Sequence, residues 1–198
     1  MSNKLAQYFI AFLLIMPFSM YGQLLVKGQA DLSKHNFATA GSVSLSGEWE
    51  FYWNKLLTPA DFKVDQKPEW FWPYSWNRQS DYPALGFATY RAHVVLPEQH
   101  HSLSVFFPVI NSSARIWVNG KLMLEVGKVS DDRNKYTPKL SSSVITLPEN
   151  VKEVELVIQV ANWTYFSGGL AGYPKLDSSD TLFADMNARN GVENFFAG

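Results

Sequence analysis

The sequence predicts an all-β fold, an antiparallel β-sandwich of the jelly-roll type, and three observations carry that expectation. Apolar and polar residues alternate with period two in several short stretches, the pattern of half-buried strands. Those stretches are separated by Gly, Pro, Asn and Ser at short spacing. No long amphipathic helical pattern appears before the C-terminus, so seven or eight strands must bury their apolar faces against one another.

The segment 103–127 sets the pattern. Residues 103–109 and 114–118 read as strands joined through Asn111, Ser112 and Ser113, and Asn119-Gly120 then turns the chain into a third strand from Lys121. Both turn residues tolerate the positive φ of a type I′ hairpin. Along the middle strand Ala114, Ile116 and Val118 face a core, while Arg115, Trp117 and Asn119 face the other way. That second face is the first expected meeting place for a partner.

In chain order, 45–53 places Leu45, Gly47, Trp49, Phe51 and Trp53 on one face, with Ser46, Glu48, Glu50 and Tyr52 on the other. Residues 58–62 form a capped single helical turn with Pro59 in the first turn. An extended segment, 70–73, leads into a polar loop, 74–84, that carries Trp76. Further strands follow at 87–96, 144–147 and 154–161, the last running into a loop with Trp163, Tyr165 and the Gly168-Gly169 pair. Residues 127–143 form a long polar loop. Trp49, Phe51, Val105, Phe107, Ile116, Val118, Leu156 and Ile158 are the expected core.

Composition narrows the function. A net charge of −1 leaves no electrostatic footprint for nucleic acid. The absence of cysteine removes disulfides, thiolate nucleophiles and Cys-ligated zinc together. His35, His93, His100 and His101 lack metal-ligand spacing, and no catalytic constellation is visible, so neither a cofactor nor a metal nor a reaction is expected. Residues 1–22 combine Lys4, an apolar run over 8–17 and a neutral end with small residues. That run is too short to span a bilayer, where about 20 residues are needed, and it matches a secretory signal peptide. The expected organisation is a signal segment (1–22), a sandwich (23–176) and a C-terminal helical segment (177–198).

Five motifs in order carry a resemblance. Leu45-Ser46-Gly47-Glu48-Trp49-Glu50-Phe51, Pro73 with Trp76, Thr89-Tyr90-Arg91, Ala114 through Gly120 and the strand closing at Asn162 resemble the sugar-binding jelly roll of family-two glycoside hydrolases. With Leu57 through Phe62, Gly86-Phe87-Ala88 and the late Asn-aromatic loop with Gly-Gly, 45–174 more closely resembles the periplasmic sensor domain of seven-transmembrane receptors with diverse intracellular signalling modules. That resemblance implies a galactose-binding-domain-like fold and ligand binding outside the cytoplasmic membrane. A periplasmic or extracellular domain is expected, joined to the membrane through a part beyond Gly198. The alternative is an accessory carbohydrate-binding module of a secreted glycoside hydrolase. In the tail, Ser178, Ser179 and Asp180 can cap a helix, which either docks on the sandwich or leads into a membrane span.

A small polar ligand such as a carbohydrate needs aromatic surface for its apolar ring face and fixed donors for its hydroxyls. Trp76, Arg91, Asn111, Arg115, Trp163 and Tyr165 combine that chemistry with loop or outer-face positions. The arginines supply planar donors suited to a carboxylate or vicinal hydroxyls.

Overall fold

Two ten-residue strands, β5 (Gly86–Val95) and β11 (Glu153–Asn162), pair antiparallel over their full length. The computed structural model describes residues 24–196, with side chains as far as residue 188; the expected signal segment lies outside the described residues. Before β5 come β1 (Gln29–Asp31), the helical turn α1 (Phe37–Ala40), β2 (Val43–Ser44), β3 (Trp49–Trp53), a 3-10 turn (Pro59–Lys63), β4 (Glu69–Phe71) and the short helix α2 (Trp76–Gln79). After it come β6 (Leu103–Phe107), β7 (Ile110–Asn111), β8 (Ser113–Val118), β9 (Lys121–Val126) and β10 (Ser143–Thr146). Beyond β11 lie β12 (Gly169–Leu170), β13 (Lys175–Ser178) and the helix α3 (Ser179–Phe196).

The larger sheet runs β4-β3-β5-β11-β8-β9, with β1 added in parallel beside the far end of β5. The smaller sheet runs β10-β6-β13-β2, and β12 with β7 forms a short ladder. All pairings except β1 with β5 are antiparallel, as the alternating pattern requires. Asn119-Gly120 makes the β8–β9 turn with φ of 47° and 80°, the positive values that the sequence pair selects. The eight expected core residues are all buried to within 1%, because each lies on the strand face turned toward the opposite sheet.

Propensity alone left three things unseen. The polar lead-in hides β1, whose Ala30 is buried while its flanks are exposed. The loop 74–84 contains α2. The run from Leu45 becomes strand only at Trp49, although Leu45 is buried and its carbonyl accepts the Trp49 indole N–H at 3.0 Å. At the other end, Ser178 caps α3 by accepting from the Thr181 N–H at 3.3 Å. Ser179 Oγ lies 2.9 and 2.8 Å from the hydroxyls of Ser102 and Ser104, and Leu182 is buried. Thus the first turns of α3 dock on the smaller sheet. Among the described residues no helix is long and apolar enough to cross a membrane.

Candidate functional site

The outer face of the larger sheet is where polar chemistry collects. Register sets Trp70 of β4, Glu50 of β3, Arg91 of β5 and Val157 of β11 in one row across four strands. Alternation turns their partners inward, so Tyr90 and Phe51 fill the core while Arg91 stands outside it. Arg91 donates from Nε to Glu155 at 2.7 Å and from Nη1 to Glu50 at 3.3 Å. The Phe62 ring lies 4.3 Å from the guanidinium carbon, a cation–π contact. Burial opposes the charge on Arg91, but the Glu155 and Glu50 carboxylates outweigh it and hold its pKa above the ordinary value. Tyr52 donates to Glu50 at 2.6 Å; burial and that carboxylate push the phenol upward, so it remains a donor at neutral pH. His93 sits 3.8 Å from Glu155, and burial followed by the Arg91 charge lowers its pKa.

Phe62 is delivered by a strap, residues 54–66, that crosses this face. Thr89 Oγ1 accepts the Leu57 N–H at 2.9 Å and donates to the Lys55 carbonyl at 2.7 Å, while Gln159 Nε2 donates to the Leu57 carbonyl at 3.1 Å. A capping box closes the 3-10 turn: Asp61 accepts from both the backbone N–H and the hydroxyl of Thr58 at 2.7 Å. Between strap and sheet lies a cleft of about 230 Å³ lined by Glu50, Tyr52, Phe62, Lys63, Val64, Asp65, Gln66 and Arg91. Drug-sized sites span roughly 300–1,000 Å³, so this cleft suits a smaller occupant. With Glu155 behind Arg91, three carboxylates meet two cations, and an anion is disfavoured.

The six expected site residues divide. Arg91 lines the cleft. Trp76 does not face a ligand: it is fully buried, its indole N–H donates to the Pro83 carbonyl at 2.9 Å, and its ring meets Trp53 edge-on at 5.2 Å. The Gly168-Gly169 pair exists for that ring, since a Cβ on Gly168 would come within 2.2 Å of it. Asn111, Trp163 and Tyr165 gather at one rim of the sandwich around the buried Asn162. Asn162 Nδ2 donates to the carbonyls of Ala84 and Tyr165 at 2.9 and 2.8 Å, and its Oδ1 accepts the Tyr165 N–H at 3.0 Å. Trp163 donates to the Ser130 carbonyl at 3.0 Å and packs near Phe87. Arg115 lies on the outer face but its Nε is paired with Glu125 at 2.8 Å.

The sequence alone does not mark Glu50, Tyr52, Phe62 and Glu155 as site residues. Their signal was cross-strand register, which brings two acids to one arginine and which a single sequence does not display. Among the described residues no cluster of three or more metal-ligating side chains occurs.

Neither a family model nor a curated protein sequence matches this chain. Solved structures do. β-Glucuronidase 2 of Bacteroides uniformis aligns at a TM-score of 0.52 and 18% identity, over 68% of this chain and 17% of its own. A family-two glycosyl hydrolase of Bacteroides cellulosilyticus aligns at 0.51 and 18%, over 69% and 20%. A β-glucuronidase of an uncultured Clostridium species aligns at 0.50 and 15%, over 68% and 28%. The chain therefore spans between 17% and 28% of those proteins' length. At these identities the likeness is one of fold: an all-β sandwich shared with a domain of family-two glycoside hydrolases.

Proposed function

We propose that this chain is the extracytoplasmic ligand-binding domain of a membrane signalling receptor, taking a carbohydrate or another small, neutral polar ligand. The observation that carries it is the Arg91 cleft, a recess that holds donors, acceptors and an aromatic ring in place before any ligand arrives. Preorganised groups spare a ligand the cost of ordering them. The motif resemblance over 45–174 and the apolar run over 8–17 support the receptor and its export. A sandwich like those of family-two glycoside hydrolases favours a second reading, an accessory carbohydrate-binding module of a secreted hydrolase. The charge balance of the cleft favours neutral hydroxyls over the carboxylate ligands that arginines alone suggest.

Thermal unfolding in the presence of neutral monosaccharides, polyols and small organic acids tests this, since a ligand bound only by the native state raises Tm by mass action. The expected result is a rise with at least one neutral hydroxylated compound, lost in a folded Arg91→Met variant. A response confined to the acids, or one that survives Arg91→Met, overturns the assignment of the cleft. Fusion of residues 1–23 to a reporter active only outside the cytoplasm tests export.

A further inference from the structure

Where the chain leaves β4 and where it approaches β13, three aromatic rings meet. Trp72 and Tyr173 have centroids 5.9 Å apart with planes at 60°, and Tyr74 and Tyr173 are 6.3 Å apart at 43°. Trp72 is 36% exposed and the tyrosines are half-buried. Among the described residues none of the three belongs to the hydrophobic core or to the partly buried side chains packed against it, so core filling does not account for them. Their backbones are nevertheless fixed. The Trp72 carbonyl accepts from Gln79 Nε2 at 2.9 Å and from the Tyr74 N–H at 2.7 Å. Beside Tyr173, the Pro174 carbonyl accepts from the Leu45 N–H at 2.8 Å.

The rings also carry unused polar tips. The Trp72 indole N–H and the hydroxyls of Tyr74 and Tyr173 bond to no side chain or backbone group among the described residues, and no ion pair among those residues involves any of the three. Burial and the nearby Tyr74 phenol push the Tyr173 pKa upward, which keeps its hydroxyl protonated. An uncharged, tilted aromatic surface edged by one donor and two donor-acceptors matches a ring that has an apolar face and hydroxyls at its rim. Size argues against a protein partner. A whole aromatic side chain buries about 150–250 Å², so three part-exposed rings offer roughly 200 Å², against about 800 Å² on each side of a stable protein interface.

We propose that Trp72, Tyr74 and Tyr173 form a second binding site, for the apolar face of a pyranose, sharing no residue with the Arg91 cleft. The proposal goes beyond the cleft assignment and stands or falls without it; because a monosaccharide held here would keep its thermal response in Arg91→Met, the cleft is scored in a Trp72→Ala background. The test is a titration of the ¹⁵N-labelled chain with methyl β-D-glucopyranoside and methyl β-D-galactopyranoside, using acyclic sorbitol as the control. The Trp72 indole resonance, assigned by its loss in Trp72→Phe, is expected to shift with at least one glycoside and not with sorbitol. Trp72→Ala, followed on the backbone amides of Tyr74 and Tyr173, and Tyr173→Ala should each weaken that glycoside by about tenfold or more, while Arg91→Met leaves the indole shift in place. An indole resonance unmoved by both glycosides, or moved equally by sorbitol, overturns the proposal. So does dimerisation of the wild type in solution that Trp72→Ala reverses, because the rings would then be a self-association surface. A glycoside response lost in Arg91→Met but intact in Trp72→Ala sinks the second site and spares the cleft.

Discussion

The two faces of the larger sheet share their strands and differ in what holds them. On the inner face Ala88, Tyr90, Ala92, Ile116, Leu156 and Ile158 are wholly buried and meet other apolar groups; shape and volume decide everything there. On the outer face Thr89 and Gln159 are also deeply buried, yet the cover is a strap held by hydrogen bonds to both of them. Burial on the inner side makes the domain stable, whereas burial on the outer side makes a particular recess. The cost of the second arrangement is visible at Gln159, whose Oε1 is buried with no hydrogen-bond partner among the described residues, a group that would be satisfied by an ordered water.

Placing a charge on the inner face should have the largest effect. Ile116→Asp buries an unpaired carboxylate, and a cost of several kcal/mol is expected, read as failure to fold or a collapse of the denaturant midpoint. A wild-type melt would show that the inner and outer faces of β8 have been exchanged. Thr89→Val comes next. It deprives the Leu57 N–H of its acceptor and should cost about 1–3 kcal/mol, and ligand response at the cleft should fall further than Tm does. Equal losses would mean that the strap is ordinary packing.

Smaller still is the effect of pH at His93. Its folded pKa is lowered, by burial first and by Arg91 second, so below about pH 6.5 the unfolded chain takes the proton more readily. Stability from this group is therefore level above that pH and falls as pH drops below it. A His93→Gln variant should show a shallower acid decline, measured by urea unfolding between pH 7.5 and 5, values chosen to bracket the ordinary histidine range of about 6.5. The least change belongs to Arg115→Ala. Its partner Glu125 and Arg115 itself are 42% and 34% exposed, and exposed pairs contribute about 0–1 kcal/mol. A loss above that range would give the exposed pair the weight of the buried network.

What could be read from the sequence was what alternation encodes. Ile116 and Val118 against Arg115 and Trp117, or Tyr90 against Arg91, follow from period two alone, and the Asn119-Gly120 turn follows from φ. Trp76 misled because a Pro-, Asn- and Ser-rich stretch suggests an exposed loop, whereas here Gly168 clears space for the indole against Trp53. The cleft was invisible for a different reason. Glu50, Arg91 and Glu155 lie 41 and 64 positions apart, and only strand register brings them together. The ring cluster of Trp72, Tyr74 and Tyr173 likewise joins segments from the two sheets.

The strap has a consequence for the order in which the molecule assembles. Leu57 is bonded by Gln159, 102 positions later, and by Thr89, 32 positions later. Closing so long a loop costs entropy before any contact repays it, so the recess forms only after β5 and β11 have zipped. The same bonds should be the first to open in the native state, with the Leu57 amide exchanging its hydrogen well before amides of the β5–β11 ladder. A nascent chain therefore has its hydrophobic centre before it has anywhere to hold a ligand, and an occupant can stabilise only the finished domain.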